Sequence, residues 1–241
     1  MNLFRAAADL HIHSCLSPCG DDLMTPNNIV NMAVLKELDV IAVTDHNTAG
    51  NLPAVFALAR ENGLSVLPGI EANTAEEVHV LCYFYDLEAC LAFSDAIYEH
   101  LPPIPNRPDF FGEQLVLDAE DETVRVEDRL LISALDVSID ELVALCGEFE
   151  GICVPAHINR MANSLLNNLG FLPPGVPFAA LEVASSAPPP DPSVTEGWRI
   201  LQSSDAHRLD AMLERESFIE GLDSLSARSV FRLLKEGLRH A

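Results

Sequence analysis

Basic residues are scarce in this sequence. Lysine and arginine together number 14, against 37 aspartates and glutamates, which gives a formal net charge of −23 for 241 residues. A surface of this charge repels a phosphate backbone, and it argues against nucleic acid as a partner. A small anionic substrate is not excluded, because bound metal ions dominate the electric field inside their own pocket.

Long hydrophobic runs and paired cysteine motifs are also absent. No apolar stretch approaches the roughly 18 residues that a membrane-spanning helix requires, so we expect no membrane association. The six cysteines include no CxxC pair, and most lie in apolar runs, where a reduced thiol packs as a small hydrophobe. These features favour a cytoplasmic enzyme. Cys15 and Cys19 lie beside a histidine pair, and for them a structural role and a metal or redox role both stay open.

The sequence does contain apolar runs of strand length that alternate with helical patterns. This alternation is typical of an α/β fold with a largely parallel sheet. Thr25 and Pro26 are the expected N-cap and first residue of a helix, and Ser138 with Glu141 forms a capping box. The predicted strands are 6–13, 40–43, 64–67, 78–84, 152–155, 179–184 and 198–202, and the predicted helices are 26–37, 52–62, 87–101, 139–150 and 225–236.

The segment 102–136 interrupts this alternation. It begins with a proline-rich stretch and continues through an acidic, hairpin-like stretch, 114–127. A hydrophobic fraction of 49% is ample for one large core, so we expect a single domain over residues 1–241. Within that domain, 102–136 is predicted to be an insertion or lid over a pocket.

Most of the eight histidines fall in short polar motifs that directly follow predicted strands. His100 and His240 are outside these motifs, and we expect both to be solvated. The motifs are Asp9-Leu-His11-Ile-His13, Thr44-Asp45-His46, Gly69-Ile-Glu71, His79, Pro155-Ala-His157 and Ser204-Asp205-Ala-His207.

The placement of these motifs predicts one shared site. In closed parallel β/α architectures the carboxyl ends of the strands meet on one face, so residues distant in sequence can line one cavity. His11 and His13 are two residues apart on one strand, which puts both rings on the same side. Imidazole and carboxylate groups are the ligands that hold zinc, iron or manganese. The ordered set therefore indicates a multinuclear metal site.

On these motifs the chain resembles the polymerase and histidinol phosphatase (PHP) domain superfamily. The first motif is Asp9–His13 and the second is Thr44–His46, while Glu71 with His79 and His157 with Asp205 and His207 match the later ones. The resemblance implies a distorted TIM-like (β/α)7 barrel carrying an inserted segment. It also implies a stand-alone, metal-dependent phosphoesterase that uses two or three divalent ions (Zn, Fe or Mn).

Position by position, the resemblance implies a set of metal ligands that overlap at one glutamate. The expected ligands are His11, His13, Glu71 and Asp205 for one ion, Glu71, His79 and His157 for a second, and His46, His207 and Asp21 for a third.

The third ion is where this sequence departs from the family pattern. The family usually supplies another Asp or His five to six residues after the histidine pair, and here Pro18 and Cys19 occupy those positions. Asp21 is our preferred substitute, with Asp22 and the softer Cys19 as alternatives.

Catalytic roles are expected for three residues near the ligands. Arg160 and Arg208 lie close to His157 and His207, and a planar guanidinium suits a phosphate group. Each could instead be a surface salt-bridge partner. Asp45 is expected to orient a ligand histidine or, alternatively, to cap the next helix. Asp9 could act like Asp45, or it could bind turn amides.

The leading functional hypothesis is hydrolysis of a small phosphorylated metabolite or nucleotide by a metal-activated hydroxide. Alternatives are a 3′-5′ exonuclease activity, a non-catalytic PHP module, or C–N hydrolysis in a related barrel. The last usually employs a carbamylated lysine that bridges the metals. The only lysines, Lys36 and Lys235, lie in predicted helices away from the motifs.

Overall fold

Strands of the protein are mostly short and buried, and helices cover them in a mixed α/β arrangement. The computed structural model describes residues 3–238. The strands are β1 (Phe4–Ile12), β2 (Val40–Val43), β3 (Ser65–Val66), β4 (Gly69–Asn73), β5 (His79–Tyr83), β6 (Leu115–Leu117), β7 (Thr123–Val126), β8 (Ile152–Pro155), β9 (Leu181–Glu182), β10 (Ile200–Leu201) and β11 (Phe218–Leu222). The helices are α1 (Pro26–Leu35), α2 (Leu52–Asn62), α3 (Leu87–Tyr98), α4 (Pro108–Phe111), α5 (Ile139–Glu148), α6 (Leu165–Asn168), α7 (Pro192–Thr195) and α8 (Ala227–Gly237), with a 3-10 helix at Leu209–Ala211.

Local sequence explains where the main helices begin and end. The Thr25 side chain accepts a hydrogen bond from the Asn28 amide, and Pro26 occupies the first turn of α1. Ser138 and Glu141 form the predicted capping box at the start of α5. Helix α2 ends at Gly63, whose φ of 69° lies in the left-handed region that glycine adopts without strain.

The expectation of a largely parallel sheet is only partly correct. Strands β1, β2 and β3 are parallel, as are β9 and β10. Strands β4, β5 and β8 pair antiparallel in one sheet, β11 joins β1 antiparallel, and β6 and β7 form a separate hairpin. The β4–β5 connection, residues 74–78, is too short for a crossover, since a parallel connection needs roughly a dozen residues.

Single bridges connect these sheets end to end. Ile12 bridges Ala206, His46 bridges Glu71, and Cys153 bridges Phe178. Continuous strand pairing within residues 3–238 does not close a barrel, so the predicted barrel stays a prediction. The bridges nevertheless bring His46 and Glu71 into direct backbone contact.

Two strands lack a clear signature in the sequence. Strand β4 is not among the predicted strands, because glycine and polar residues surround Glu71, although the strand is fully buried. Strand β11 contains Glu220 and Gly221, which are exposed, and only Leu222 is buried, so it has no apolar alternation to reveal it. Neither case follows from local propensity, because pairing with neighbouring strands decides both.

A buried tyrosine ties β5 to the strand that carries the first histidine pair. Tyr83 is fully buried, and its hydroxyl donates a hydrogen bond of 2.7 Å to the backbone carbonyl of Leu10. Leu10 lies between Asp9 and His11, so this bond fixes the backbone beneath the site. No helix among the described residues is long and apolar enough to span a membrane.

We expect Tyr83→Phe to lower the free energy of unfolding by about 1–3 kcal/mol, because it leaves the buried Leu10 carbonyl without its donor. Urea unfolding followed by circular dichroism measures the change. The matched control is Tyr85→Phe at a residue that is 37% exposed, for which we expect little change. Equal stability of the Tyr83 variant and the parent protein would contradict this role.

Candidate metal centre

The carboxylate of Glu71 lies at the centre of the site. The side chain is 1% exposed, and imidazoles from five histidines surround its two oxygens. Their nitrogens converge on it from β1, the end of β2, the start of β5 and the end of β8. The distances are 2.9 Å from Oε1 to His79 Nδ1, 3.2 Å to His11 Nε2 and 3.3 Å to His157 Nε2, and 3.1 Å from Oε2 to both His13 Nε2 and His46 Nδ1.

Asp205 adds a second carboxylate beside the first histidine pair. Its Oδ1 lies 3.3 Å from His11 Nε2 and 3.1 Å from His13 Nε2, and its Oδ2 contacts the guanidinium of Arg160. The backbone φ is 51° at Asp205 and 29° at His157. Positive φ at residues other than glycine costs about 1–3 kcal/mol and is concentrated at functional sites. Both residues are thus held in strained conformations that direct their side chains inward.

The donor atoms are arranged as metal ligands are. Several have no hydrogen-bond partner although they are buried, namely His46 Nδ1, Glu71 Oε2, His79 Nε2, His157 Nδ1 and Asp205 Oδ1. Neighbouring donors around one ion, at bonds of about 2.0–2.1 Å, lie roughly 3.0–3.4 Å apart. The separations given above fall almost entirely in this range. Buried donors that converge at these separations, several of them without a hydrogen-bond partner, therefore fit divalent ions.

Three groups of donors within residues 3–238 surround this centre, each with all its atoms within 4.8 Å of one another. The group that contains Asp205 has the same residues as the set implied for the first ion. The other two groups differ from the sets implied for the second and third ions, because His46 belongs to both of them. The groups are His11, His13, Glu71 and Asp205; His46, Glu71 and His79; and His13, Cys19, His46 and His207.

Glu182 is a buried carboxylate of the site that lies outside the predicted motifs. Its Oε2 lies 3.0 Å from His11 Nδ1 and also accepts a hydrogen bond of 2.9 Å from the His157 backbone amide. The contact fixes His11 with Nε2 directed at Glu71, as carboxylates do behind metal-bound histidines. The available signal was a lone acidic residue inside the apolar run 179–184.

Asp45 acts on a ligand histidine through an intermediate serine. Its carboxylate accepts hydrogen bonds from the Ser14 amide and hydroxyl and from the Ser17 hydroxyl, at 2.6–2.7 Å. Ser17 Oγ in turn lies 3.0 Å from His13 Nδ1. This arrangement is compatible with the expected role of Asp45 in orienting a ligand histidine. The carboxylate of Asp9 accepts hydrogen bonds from the backbone amides of residues 204 and 213. This agrees with the alternative in which Asp9 binds turn amides.

Other expected site residues lie elsewhere. Asp21 is exposed and accepts a hydrogen bond from the Leu23 amide, whereas Cys19 joins the donor group with His207. The Arg208 side chain is 69% exposed and pairs with Asp210, so it faces solvent beyond the site.

His100 does not contribute to the site. His100 pairs with Asp136 at a distance of 2.8 Å, and its side chain is 41% exposed. His240 lies outside the described residues.

The electrostatic state of the imidazoles follows from burial and close charges. Burial would raise the pKa of Glu71, but the neighbouring imidazoles, His79 first, hold it well below its usual range. Burial lowers the pKa of His207 to about 4 and that of His46 well below its usual value. Burial also acts to lower the pKa of His13, but Asp205 and Glu71 outweigh it and raise that pKa to about 9. His46 and His207 are therefore neutral at pH 7 and can offer lone pairs.

A cavity of about 370 Å³ opens over these donors. Arg160 is the one guanidinium among the described residues that line it. The other lining residues include Cys19, Ile132 and Met161, along with several of the donors. The cavity thus combines a cluster of metal donors with one fixed cation at its wall.

A mixed α/β fold with imidazole and carboxylate donors clustered around one buried glutamate defines a metal-binding protein. A family model described as the PHP domain matches residues 9–161, from the first motif to beyond His157. The chain belongs to the PHP domain family, and the resemblance found in the sequence motifs is confirmed.

Curated relatives share a segment of this chain. The 5′-3′ exoribonuclease Rnm of Salmonella typhimurium is 37% identical over 73 residues, covering 30% of this chain and 24% of that protein. The 3′,5′-nucleoside bisphosphate phosphatase of Chromobacterium violaceum is 32% identical over 76 residues, covering 32% and 26%. The matches span about a quarter of the length of these relatives. Both names agree with the predicted class of phosphoester hydrolase.

Solved structures have the same fold over nearly the whole chain. The lesion-specific endonuclease PfuEndoQ from Pyrococcus furiosus has a TM-score of 0.65 at 18% identity, over 97% of this chain and 56% of that chain. A complex of endonuclease Q with a 27-mer duplex substrate has a TM-score of 0.67 at 19% identity, over 97% and 57%. At these identities the likeness establishes the fold alone.

The expectation that the acidic composition argues against nucleic acid is wrong. An exoribonuclease contains a related segment, and endonuclease Q, which has the same fold, binds a DNA duplex. Net charge sums the whole surface, whereas charges more than roughly 10 Å apart are largely screened in solution. The value of −23 therefore does not describe the field at one metal-lined cavity.

We expect Glu182→Gln to weaken metal binding about 10- to 100-fold, because it removes the carboxylate that orients His11. Titration of metal-free protein with zinc or manganese, followed by calorimetry, measures the change. Glu220→Gln on exposed β11 is the matched control and should bind as the parent does. Unchanged affinity in the Glu182 variant would show that the carboxylate does not support the ligand.

Proposed function

We propose that this protein hydrolyses phosphate esters at a site that holds two or three divalent ions (Zn, Fe or Mn). The observation that carries the proposal is the convergence of five imidazoles on the buried Glu71 carboxylate, with Asp205 beside them. The expected ligands are His11, His13, His46, Glu71, His79, His157, Asp205 and His207.

Bound divalent ions at such a site lower the pKa of water and stabilise negative charge on phosphoryl oxygens. The protein's own residues hold the donors in place and supply a further cation. Asp205 fixes the Arg160 guanidinium at the cavity wall, where its side chain remains 34% exposed. There Arg160 can bind a phosphoryl oxygen and stabilise the charge that develops on it during cleavage.

The proposed substrate is a phosphorylated metabolite, a nucleotide or the phosphorylated end of a nucleic acid strand. The cavity volume of about 370 Å³ suits a small phosphorylated group. Relatives named as a nucleoside bisphosphate phosphatase and as 5′-3′ exoribonucleases support nucleotide chemistry. The exonuclease activity considered from the sequence is 3′-5′, which is opposite in direction to the activity named for these exoribonucleases.

We further propose that the strands form the distorted seven-stranded barrel implied by the family, as one domain over residues 1–241. Support comes from the single bridges, which join the sheets into one circuit that returns from Ala206 to Ile12.

The segment 102–136 is proposed to be an insertion that forms a fixed wall of the site. The Asn47 amide donates hydrogen bonds to the carbonyls of Leu131 and Ser133, at 2.7 and 2.9 Å. The Asn73 amide donates to the carbonyl of Ile132, which lines the cavity. These bonds support a wall tethered beside the ligands.

The proposal is tested by metal analysis of the purified protein and by hydrolysis of a substrate panel. We expect at least two ions per chain and turnover of a nucleoside 3′,5′-bisphosphate or of a 5′-phosphorylated oligoribonucleotide. Release of inorganic phosphate indicates a phosphatase, and release of mononucleotides indicates a nuclease. Asp205→Asn should lose both metal and turnover. Metal-loaded protein that hydrolyses neither phosphomonoesters nor phosphodiesters would refute the proposed activity.

The two arginines flanking the motifs provide a matched pair of variants. We expect Arg160→Ala to lower kcat/KM about 10- to 100-fold, because a charge-assisted hydrogen bond to the substrate contributes about 1.5–3 kcal/mol. Arg208→Ala should remain close to the parent, since Arg208 pairs with Asp210 at the surface. Steady-state kinetics with the best substrate of the panel distinguishes them. Equal losses in both variants would remove Arg160 from the substrate site.

A further inference from the structure

Cys19 is the one exposed cysteine of the six, all of which lie within the described residues. It follows β1 in a loop and lines the cavity above the donors. Its sulfur belongs to a group with His13, His46 and His207 whose donor atoms lie within 4.8 Å of one another. Two donors on opposite sides of one ion are at most roughly 4.6 Å apart at zinc–sulfur distances, so the spacing of this group is close to that of a metal site.

The loop around Cys19 is held against His207 by backbone bonds. The amide of Asp21 donates to the His207 carbonyl at 2.9 Å, and the amide of Gly20 donates to the Ser17 carbonyl at 2.8 Å. A Cβ at Gly20 would lie 2.3 Å from the Ser14 carbonyl oxygen, so the turn requires glycine at this position. The thiol is therefore fixed beside the histidines.

The neighbouring histidines have nitrogen atoms free for an ion. His207 Nδ1 lies 2.8 Å from the Asp205 carbonyl, which can only accept, so Nδ1 carries the proton and Nε2 keeps its lone pair. His46 is 2% exposed, and its Nδ1 has no hydrogen-bond partner. His46 Nδ1 and His13 Nε2 both lie 3.1 Å from Glu71 Oε2. His13 differs, because its Nδ1 contacts Ser17 and its Nε2 also lies 3.1 Å from Asp205 Oδ1, within the first donor group. Cys19, His46 and His207 thus remain as one set of donors.

We propose that Cys19 supplies a thiolate ligand to a third metal ion, which His46 and His207 also hold. This inference rests on the proposed metal-dependent function. Three protein ligands leave a coordination position open toward the cavity. A thiolate with two imidazoles favours zinc or iron over manganese, whereas the carboxylate-rich group around Glu71 accepts all three. The sites of this protein therefore differ in metal preference.

Cobalt substitution tests the sulfur ligand directly. Metal-free protein is titrated with Co²⁺, and the charge-transfer absorption of a cobalt–thiolate bond is recorded in the near ultraviolet. We expect the band in the parent protein and in Cys15→Ala, a control at the buried cysteine of the same loop. In Cys19→Ser the band should disappear, and the bound cobalt should fall by one ion per chain while the other ions remain.

The outcomes separate this inference from the proposed function. Protein that binds two cobalt ions without a thiolate band would overturn the role of Cys19 and leave the phosphoesterase proposal standing. A band that persists in Cys19→Ser would also overturn it, because another cysteine would then be the ligand. Protein that binds no cobalt, zinc or manganese would overturn both proposals.

Alkylation provides a second readout that needs neither cobalt nor activity. Iodoacetamide should modify Cys19 of the metal-free protein first, and peptide mass spectrometry locates the label. Zinc at ten times its Kd should slow this reaction about tenfold, since only the metal-free fraction reacts. Cys19→Asp should bind manganese more tightly than the parent does. No protection by zinc, or unchanged manganese binding in Cys19→Asp, would contradict thiolate ligation.

Discussion

The constraint on which the rest of the structure depends is the burial of one carboxylate among five imidazoles. Removing Glu71 from water is costly, and its charge is tolerable only where cations or ionisable groups surround it. The fold meets this requirement by a bridge between His46, after β2, and Glu71 in β4. The ends of β1 and β8 bring further histidines to the same carboxylate. Divalent ions would satisfy the donors that have no hydrogen-bond partner here.

Residues that contact the donors from behind, here called the outer ring, keep the donors themselves, the inner residues, in one geometry. Glu182 holds His11, and the Asp45 carboxylate holds Ser17, which in turn contacts His13. Asp205 is both an inner donor and the anchor of Arg160. The site is therefore a set of linked side chains from many elements, and a change in the outer ring acts on metal and substrate through an inner residue.

The sequence places the expected donors at or near predicted strands, because strands are recognisable from periodicity. In the structure His11, Glu71 and His79 lie within strands. It predicts the starts of α1 and α5 because caps are local. It does not predict the antiparallel pairing of β5 or the contact of Glu182, since both depend on elements far apart in the chain. The position of Cys19 beside His207 likewise involves contacts between residues far apart in the sequence, such as the bond from the Asp21 amide to the His207 carbonyl.

The amides of Asn47 and Asn73 bind the cavity wall only through backbone carbonyls, at residues 131, 132 and 133. Every amino acid carries such a carbonyl, so the attachment imposes no requirement on the side chains of the wall. Ile132, the one of these three residues that lines the cavity, can consequently be substituted while the ligands stay in place. The shape of the cavity at position 132 is thus open to change during evolution or engineering without loss of these anchoring bonds, whereas a change at Arg160 also acts on the donor Asp205.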